Sequence, residues 1–189
     1  MITNIINVMD LELTCYEDGV FPPGERQEII EIGLCMVDRR KLTIEKRVSI
    51  PVIPTMSRVS PFCTKLTGWT EAKLRRPGVG MSFAEACRRM ANLYGATNRL
   101  LATDSNGDVR FFREQCALMG VPCPLGEFHQ NVATLFALHR RSDNNLGLEA
   151  MLAEFGLKFE GRRHCGVHDA VNIARVLLKL LEPSSGRLS

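Results

Sequence analysis

Two acidic residues interrupt an apolar stretch near the start of the sequence. Asp10 and Glu12 lie in "NIINVMDLELT", whose pattern predicts a strand at about residues 4–13. Alternate residues of a strand point to one face of a sheet, so the two carboxylates should lie side by side. Either this strand edge faces solvent, or a hard divalent cation such as Mg²⁺ or Mn²⁺ lies between the two acids.

Further acids occur where two helices are predicted to begin. In "ATDSNGDVRFF" a short strand precedes a helix, and Asp104 and Asp108 are candidates either as helix caps or as ligands. In "HCGVHDA", residues 164–170, His164 precedes the last helix and Asp169 lies near its start, where the helix dipole also favours an acid.

Together these positions supply four carboxylates and one histidine. Four carboxylates can hold two divalent cations about 3.5–4 Å apart, which can activate water and stabilise a leaving oxyanion. An imidazole can accept the proton of that water near neutral pH. The set therefore predicts phosphodiester hydrolysis. A zinc site is disfavoured, because His164 and His168 lack a third nitrogen or sulfur ligand at suitable spacing and the sequence has no HExxH motif.

The composition is that of a globular protein. The 189 residues are 45% hydrophobic and 24% charged, and the net charge of +3 permits a polyanionic partner without requiring one. The cysteine count is odd and there is no CxxC pair, which indicates free thiols in a reducing compartment. The sequence shows neither a membrane-spanning run nor a signal-peptide pattern, so we predict a cytoplasmic location and no membrane partner.

The predicted elements place the candidate residues at strand ends and helix starts. Three strands, the second and third joined by a turn at "DRRK", precede alternating helices and strands, which predicts an α/β domain with a mixed sheet. Ser82 and Glu85 form a capping box before one of the helices. Residues 1–183 are predicted to form a single domain and residues 184–189 a flexible C-terminal tail.

The order Asp-x-Glu, then Asp, then His-x4-Asp resembles the DEDDh exonucleases of the DnaQ-like superfamily, which have a ribonuclease H-like fold. "MDLELTC", "QEIIEIGLCMVD", "SPFCTKLTGWT" and "GLKFEGRRHCGVHDAVNIARVL" are similar to its branch of Eri-type, histone-mRNA and KapD-like 3′ exonucleases. The similarity covers about residues 6 to 181. It implies one exonuclease domain with a central mixed five-stranded sheet, three antiparallel strands followed by parallel ones, flanked by helices.

The resemblance also implies roles for the five residues. Asp10, Glu12, Asp108 and Asp169 would bind two divalent cations, Mg²⁺ or Mn²⁺, and His164 would be the general base. The implied activity is 3′-to-5′ hydrolysis of single-stranded nucleic acid with a free 3′ end to nucleoside 5′-monophosphates, with RNA favoured over DNA. A catalytically inactive nucleic-acid-binding module of this fold and a different metal phosphoesterase are the alternatives. The sequence does not indicate an oligomeric state.

The family resemblance places the terminal nucleotide near "SPFCTKLTGWT", although a surface loop with a buried Phe62 would also fit this segment. Amides and hydroxyls can contact phosphate or sugar, and aromatic rings can stack on bases. Gly107 stands where the branch commonly has an aromatic residue, so the base-stacking contact is either missing or made by another residue such as Phe111 or Trp69. The predicted substrate contacts are Leu11, Leu13, Thr14, Phe62, Cys63, Leu66, Thr67, Trp69, Phe111 and Arg163.

Overall fold

The fold is described for residues 4–183 by a computed structural model; residues 1–3 and the predicted tail at 184–189 lie outside the described residues. The strands of the described part are Ile5–Leu13 (β1), Ile29–Asp38 (β2), Thr43–Pro51 (β3), Leu100–Thr103 (β4) and His129–Asn131 (β5). Its helices are Pro61–Thr67 (α1), Glu71–Leu74 (α2), Phe83–Tyr94 (α3), Gly107–Met119 (α4), Val132–His139 (α5), Leu148–Glu154 (α6) and Gly166–Leu181 (α7).

The strands form one mixed sheet in the order β3-β2-β1-β4-β5. β1, β2 and β3 are antiparallel neighbours, whereas β4 is parallel to β1 and β5 is parallel to β4. The predicted arrangement of three antiparallel strands followed by parallel ones is therefore confirmed. β1 occupies the centre, and its residues Val8 and Met9 are fully buried, as expected for a strand covered on both faces.

Helices pack on both faces of the sheet, and the alternation of β1 divides the core between them. Met9 and Leu11 belong to a core shared with α3 and α4, whereas Val8 belongs to a core shared with α5, α6 and α7. Asp10 and Glu12 continue the alternation that begins at Val8. Both acids therefore point to the face on which α7 packs.

The local signals in the sequence agree with the structure at three places. The Ser82 hydroxyl accepts a hydrogen bond from the Glu85 backbone N–H at the start of α3. The turn between β2 and β3 contains Leu42 in the left-handed region, at φ 57°. α7 ends at Leu181, two residues before Pro183, because proline cannot continue a helix.

The strand order brings the candidate residues to one end of the sheet. β1 and β4 are parallel neighbours, so their carboxyl ends lie at the same edge, where open α/β sheets commonly bind ligands. α7 begins beside this edge and touches β2 backbone to backbone. A Cβ atom on Gly33 would lie 1.9 Å from the Gly166 carbonyl carbon, so only glycine permits this approach.

Candidate active site

Three carboxylates meet at the carboxyl end of β1. Ligand oxygens of Asp10, Glu12 and Asp169 all lie within 4.8 Å of one another. Glu12 is 6% exposed, and the other two acids are half-buried. Asp10 and Glu12 come from β1, and Asp169 comes from the start of α7 on the same face of the sheet. Because like charges repel at this separation, a bound cation would stabilise the group.

Two further aspartates follow β4, one in the loop before α4 and one in the first turn of α4. Asp104 lines a cavity of about 460 Å³ together with the three acids, and its Oδ1 is buried without a hydrogen-bond partner among residues 4–183. Asp108 lies in the first turn of α4 and is the neighbouring charge with the largest effect on Asp10. Both candidates for the fourth carboxylate thus lie near the cluster. Asp104 lines the same cavity, and the charge of Asp108 raises the pKa of Asp10.

Burial raises the pKa values of this cluster, and repulsion from neighbouring acids raises those of Asp10, Glu12, Asp104 and Asp108 further. The pKa of Asp10 is well above its ordinary value, that of Glu12 is raised to about 8, and that of Asp108 to about 7. Burial is also the largest cause that raises the pKa values of Asp104 and Asp169. Clustered carboxylates that are expensive to ionise, one with an unpaired buried oxygen, fit a hard divalent cation, which prefers oxygen ligands.

His164 is exposed on the loop before α7 and lines the same cavity as the acids. Its φ of 55° lies in the left-handed region, which histidine adopts more readily than most residues. Hydrogen bonds hold the loop on both sides: the Cys165 N–H donates to Asp169 Oδ2 at 3.0 Å, and the Arg162 N–H donates to His168 Nδ1 at 3.0 Å. His168 therefore supports the loop that presents His164.

The Arg162 side chain joins this loop to α1. Its guanidinium donates to the carbonyl oxygens of Leu66, at 3.1 Å, and Thr67. These carbonyls lie in the last turn of α1, where they lack helical partners. Gly68 ends the helix at φ 74°, and a Cβ atom there would lie 2.8 Å from a guanidinium nitrogen. The contact fixes the "SPFCTKLTGWT" segment against the His164 loop.

A second cavity, of about 350 Å³, adjoins the first. Arg163 and His164 line both cavities, and Phe62, Lys65 and Leu66 line only the second. Of the predicted substrate contacts, Leu11 and Arg163 thus line the acid cavity, and Phe62, Leu66 and Arg163 line the second.

Three of the predicted substrate contacts lie inside the protein. Thr14, Cys63 and Thr67 are each at most 1% exposed. The Thr14 hydroxyl accepts from the Glu28 N–H, and the Thr67 hydroxyl donates to the Cys63 carbonyl while accepting from the backbone N–H of Trp69. These side chains are occupied by bonds that stabilise the fold, so the structure does not direct them into either cavity.

Leu13, Phe111 and Trp69 are half-buried. Leu13 and Phe111 pack against the core on the α3 and α4 side. The Trp69 indole N–H donates to Glu31 at 2.8 Å, and Lys73 Nζ lies 4.1 Å from the ring centroid. Neither aromatic candidate for the ring absent at Gly107 is thus free of protein contacts.

Sequence reasoning missed two residues of β2 that contact the start of α7. Glu31 accepts the Gly166 backbone N–H at 3.2 Å, and Gly33 makes the close approach described above. Glu31 is an acid inside an apolar strand, which is the same signal that drew attention to Asp10 and Glu12. Applied to "EIIEIG", it would have found Glu31.

A larger cavity, of about 710 Å³, lies elsewhere on the protein. It is lined by residues such as Arg39, Leu100 and Phe128, near the amino end of β4 and away from the acids. Separately, no helix within residues 4–183 has the length and apolar character needed to cross a membrane.

Comparison with known sequences gives a consistent family. A model of the exonuclease family, RNase_T, matches residues 8–177. Human 3′-5′ exoribonuclease 1 is 28% identical over 187 residues, which cover 94% of this chain and 52% of the relative. Human ERI1 exoribonuclease 3 is 28% identical over 181 residues, which cover 92% of this chain and 52% of the relative. The chain thus spans about half the length of these curated relatives.

Solved structures agree. The nuclease domain of 3′hExo, a DEDDh family member, bound to rAMP, has a TM-score of 0.81 at 27% identity and covers 95% of this chain and 92% of that chain. A structure of 3′-end specific recognition of histone mRNA stem-loop by 3′-exonuclease has a TM-score of 0.83 at 27% identity, covering 95% and 64% of the two chains. The ribonuclease H-like fold and the resemblance to DEDDh exonucleases are confirmed, and the chain belongs to the RNase_T exonuclease family.

Proposed function

We propose that this protein is a divalent-cation-dependent exonuclease that hydrolyses the 3′-terminal phosphodiester of single-stranded RNA. The observation that carries the proposal is the meeting of Asp10, Glu12 and Asp169 within 4.8 Å, in a cavity that His164 also lines. Membership of the exonuclease family supports the chemistry. The relative named 3′-5′ exoribonuclease 1 supports the direction, and both relatives, named as exoribonucleases, support the preference for RNA over DNA.

Each residue of the site has a proposed role. Asp10, Glu12, Asp108 and Asp169 hold two divalent cations, Mg²⁺ or Mn²⁺. Bound cations would neutralise the carboxylates and stabilise the negative charge that develops on the phosphate and the leaving oxygen. His164 is the general base that accepts the proton of the attacking water, a task suited to an imidazole near neutral pH. The loop hydrogen bonds described above hold this imidazole over the cavity.

The two cavities suggest how the strand binds. Because Arg163 and His164 line both, a strand whose terminal phosphate reaches the acids would place preceding nucleotides near Phe62 and Leu66. Arg163 would offset phosphate charge there. The rAMP in a related nuclease domain supports nucleoside 5′-monophosphates as products. Residues 1–183 would form this one exonuclease domain, and the cytoplasmic location stays a prediction.

The direct test is degradation of single-stranded RNA and DNA oligomers of one sequence, labelled at the 5′ end, with Mg²⁺ or Mn²⁺ and with EDTA. We expect stepwise shortening from the 3′ end, release of nucleoside 5′-monophosphates, faster loss of RNA, and no reaction in EDTA. Asp10→Asn serves as the inactive control. Binding of the oligomer without release of nucleotides would instead support the inactive binding module. Continued cleavage of an oligomer with a blocked 3′ end would support an endonuclease.

A further inference from the structure

Glu31 is a buried acid that the proposed chemistry does not use. It lies on β2, an inner strand of the sheet, is 1% exposed, and stands directly opposite Glu12 in the pairing of β1 with β2. Like charges directly opposite each other on a sheet are unfavourable. Other contacts of Glu31 must therefore offset its repulsion from Glu12.

Three neutral groups from separate parts of the chain donate hydrogen bonds to Glu31. The Ser49 hydroxyl of β3 donates to Oε1 at 2.6 Å. The Trp69 indole N–H, between α1 and α2, donates to Oε2 at 2.8 Å, and the Gly166 backbone N–H donates to the same oxygen at 3.2 Å. A single carboxylate thus links β3, the "SPFCTKLTGWT" segment and the first residue of α7.

Asp169 within α7 accepts the Cys165 N–H, but the N–H of Gly166, the first residue of the helix, depends on Glu31. The residue before the helix, Cys165, makes no side-chain cap hydrogen bond, and backbone N–H groups in a first helical turn have no helical partner. Glu31 supplies an acceptor from the sheet, and the Gly33 contact holds the two backbones together. His164 precedes this contact by two residues and Asp169 follows it by three.

We propose that Glu31 is a positioning residue, which fixes the start of α7 so that Asp169 and His164 face the acids of β1, and which connects Trp69 to the same point. This inference rests on the proposed exonuclease function. Glu31 acts through the length of its side chain and the geometry of its hydrogen bonds, and its negative charge is not needed. A displacement of about 1 Å in a catalytic group can slow a reaction roughly 100-fold.

Two conservative variants separate reach from charge. Glu31→Gln keeps the length: its carbonyl oxygen can accept from Trp69 and Gly166, while its amide donates to the Ser49 hydroxyl. Glu31→Asp keeps the charge but is one methylene shorter, so it cannot span the same donors. With RNA at saturation, we expect kcat of the Gln variant within about threefold of wild type and kcat of the Asp variant about 10- to 100-fold lower. Ser49→Ala, which removes only the bond to β3, is the matched control and should stay within about twofold.

Failure of the positioning role can be distinguished from failure of the proposed exonuclease function. If the wild type releases no nucleotides, the proposed function fails, whatever the variants do. If the wild type is active, full kcat in Glu31→Asp, or an equal loss in both variants, would overturn the positioning role. A Glu31→Asp protein without native circular dichroism at the assay temperature would also overturn it, because the residue would then serve folding alone.

Discussion

Neighbouring strands of the sheet carry buried acids in opposite surroundings. Glu31 on β2 and Glu28 just before that strand are each 1% exposed, and both accept several hydrogen bonds. Glu28, for example, accepts the backbone N–H groups of Thr55 and Met56. On β1, the charged neighbours that most affect Asp10 and Glu12 are other carboxylates, and these raise both pKa values.

The difference shows how a buried acid can be assigned to the fold or to the site. A buried carboxylate costs free energy unless something compensates it. For Glu28 and Glu31 the compensation comes from hydrogen-bond donors within the protein, so these acids belong to the architecture. On β1 the compensation has to come from outside, and a divalent cation supplies it. Substitutions on the two strands should therefore affect different properties.

The largest effect should come from Asp10→Asn, compared with Glu28→Gln. The Asn variant weakens cation binding, and since several kcal/mol of transition-state stabilisation depend on the cations, activity should fall roughly 10⁴-fold or more. Its metal-free stability should be unchanged or higher because repulsion is relieved. Glu28→Gln should keep kcat but lose about 1–3 kcal/mol of stability. RNA hydrolysis rates measure the activities, and urea unfolding measures the stabilities. An Asp10→Asn protein that stays active would contradict the assignment of Asp10 to the site.

The next largest effect tests His164, which is exposed and lines the cavity of the β1 acids. Its imidazole should contribute about 10²–10⁴-fold to turnover, with cation binding largely retained. Asn tolerates the left-handed backbone at this position better than Ala, so His164→Asn removes the imidazole with less strain than His164→Ala. Equal losses in both variants would identify the imidazole as the cause. A loss in the Ala variant alone would mean that only the backbone conformation matters.

A third comparison decides between the two aspartates after β4. If Asp108 is the fourth ligand, Asp108→Asn should reduce activity by about 100-fold or more, because loss of a ligand costs at least as much as loss of a group that orients one, and Asp104→Asn should reduce it by less than about tenfold. Titration calorimetry with Mn²⁺ should show the same order in cation affinity. The reverse order would assign the ligand to Asp104, whose buried Oδ1 lacks a partner within the described residues.

Much of this arrangement could be predicted from sequence because the signals are local. An Asp in an apolar strand, a capping Ser and alternating helices and strands each show themselves within a few residues. The role of Glu31 could not be predicted, because its donors Trp69 and Gly166 lie 38 and 135 residues away in the chain. The burial of Thr14 and Thr67 likewise depends on long-range packing. The family resemblance and the residue types suggested substrate contacts for these two threonines that their hydrogen bonds do not favour.

The smallest effect concerns the stability of the cation-free protein as pH changes. The folded-state pKa values of Glu12, about 8, and Asp108, about 7, lie above those of an unfolded chain, where carboxyl groups titrate near pH 4. Between these values the folded protein binds more protons than the unfolded chain, so stability falls as pH rises. The contribution is fully present below about pH 4 and is lost as pH passes through about 7 to 8.

In EDTA, the Tm should therefore decrease between pH 5 and pH 8, by a few degrees if about 1 kcal/mol is lost. Mn²⁺ should raise the Tm more at pH 8 than at pH 5, because carboxylates must lose their protons to bind a cation. Glu28→Gln should keep the wild-type slope, since the donors around residue 28 do not depend on the cluster, whereas Asp10→Asn should flatten it. Scanning calorimetry of the three proteins measures these slopes. A Tm that rises with pH in EDTA, or an equal dependence of Tm on pH in all three proteins, would mean that Asp10 and Glu12 are compensated within the fold, as Glu28 and Glu31 are.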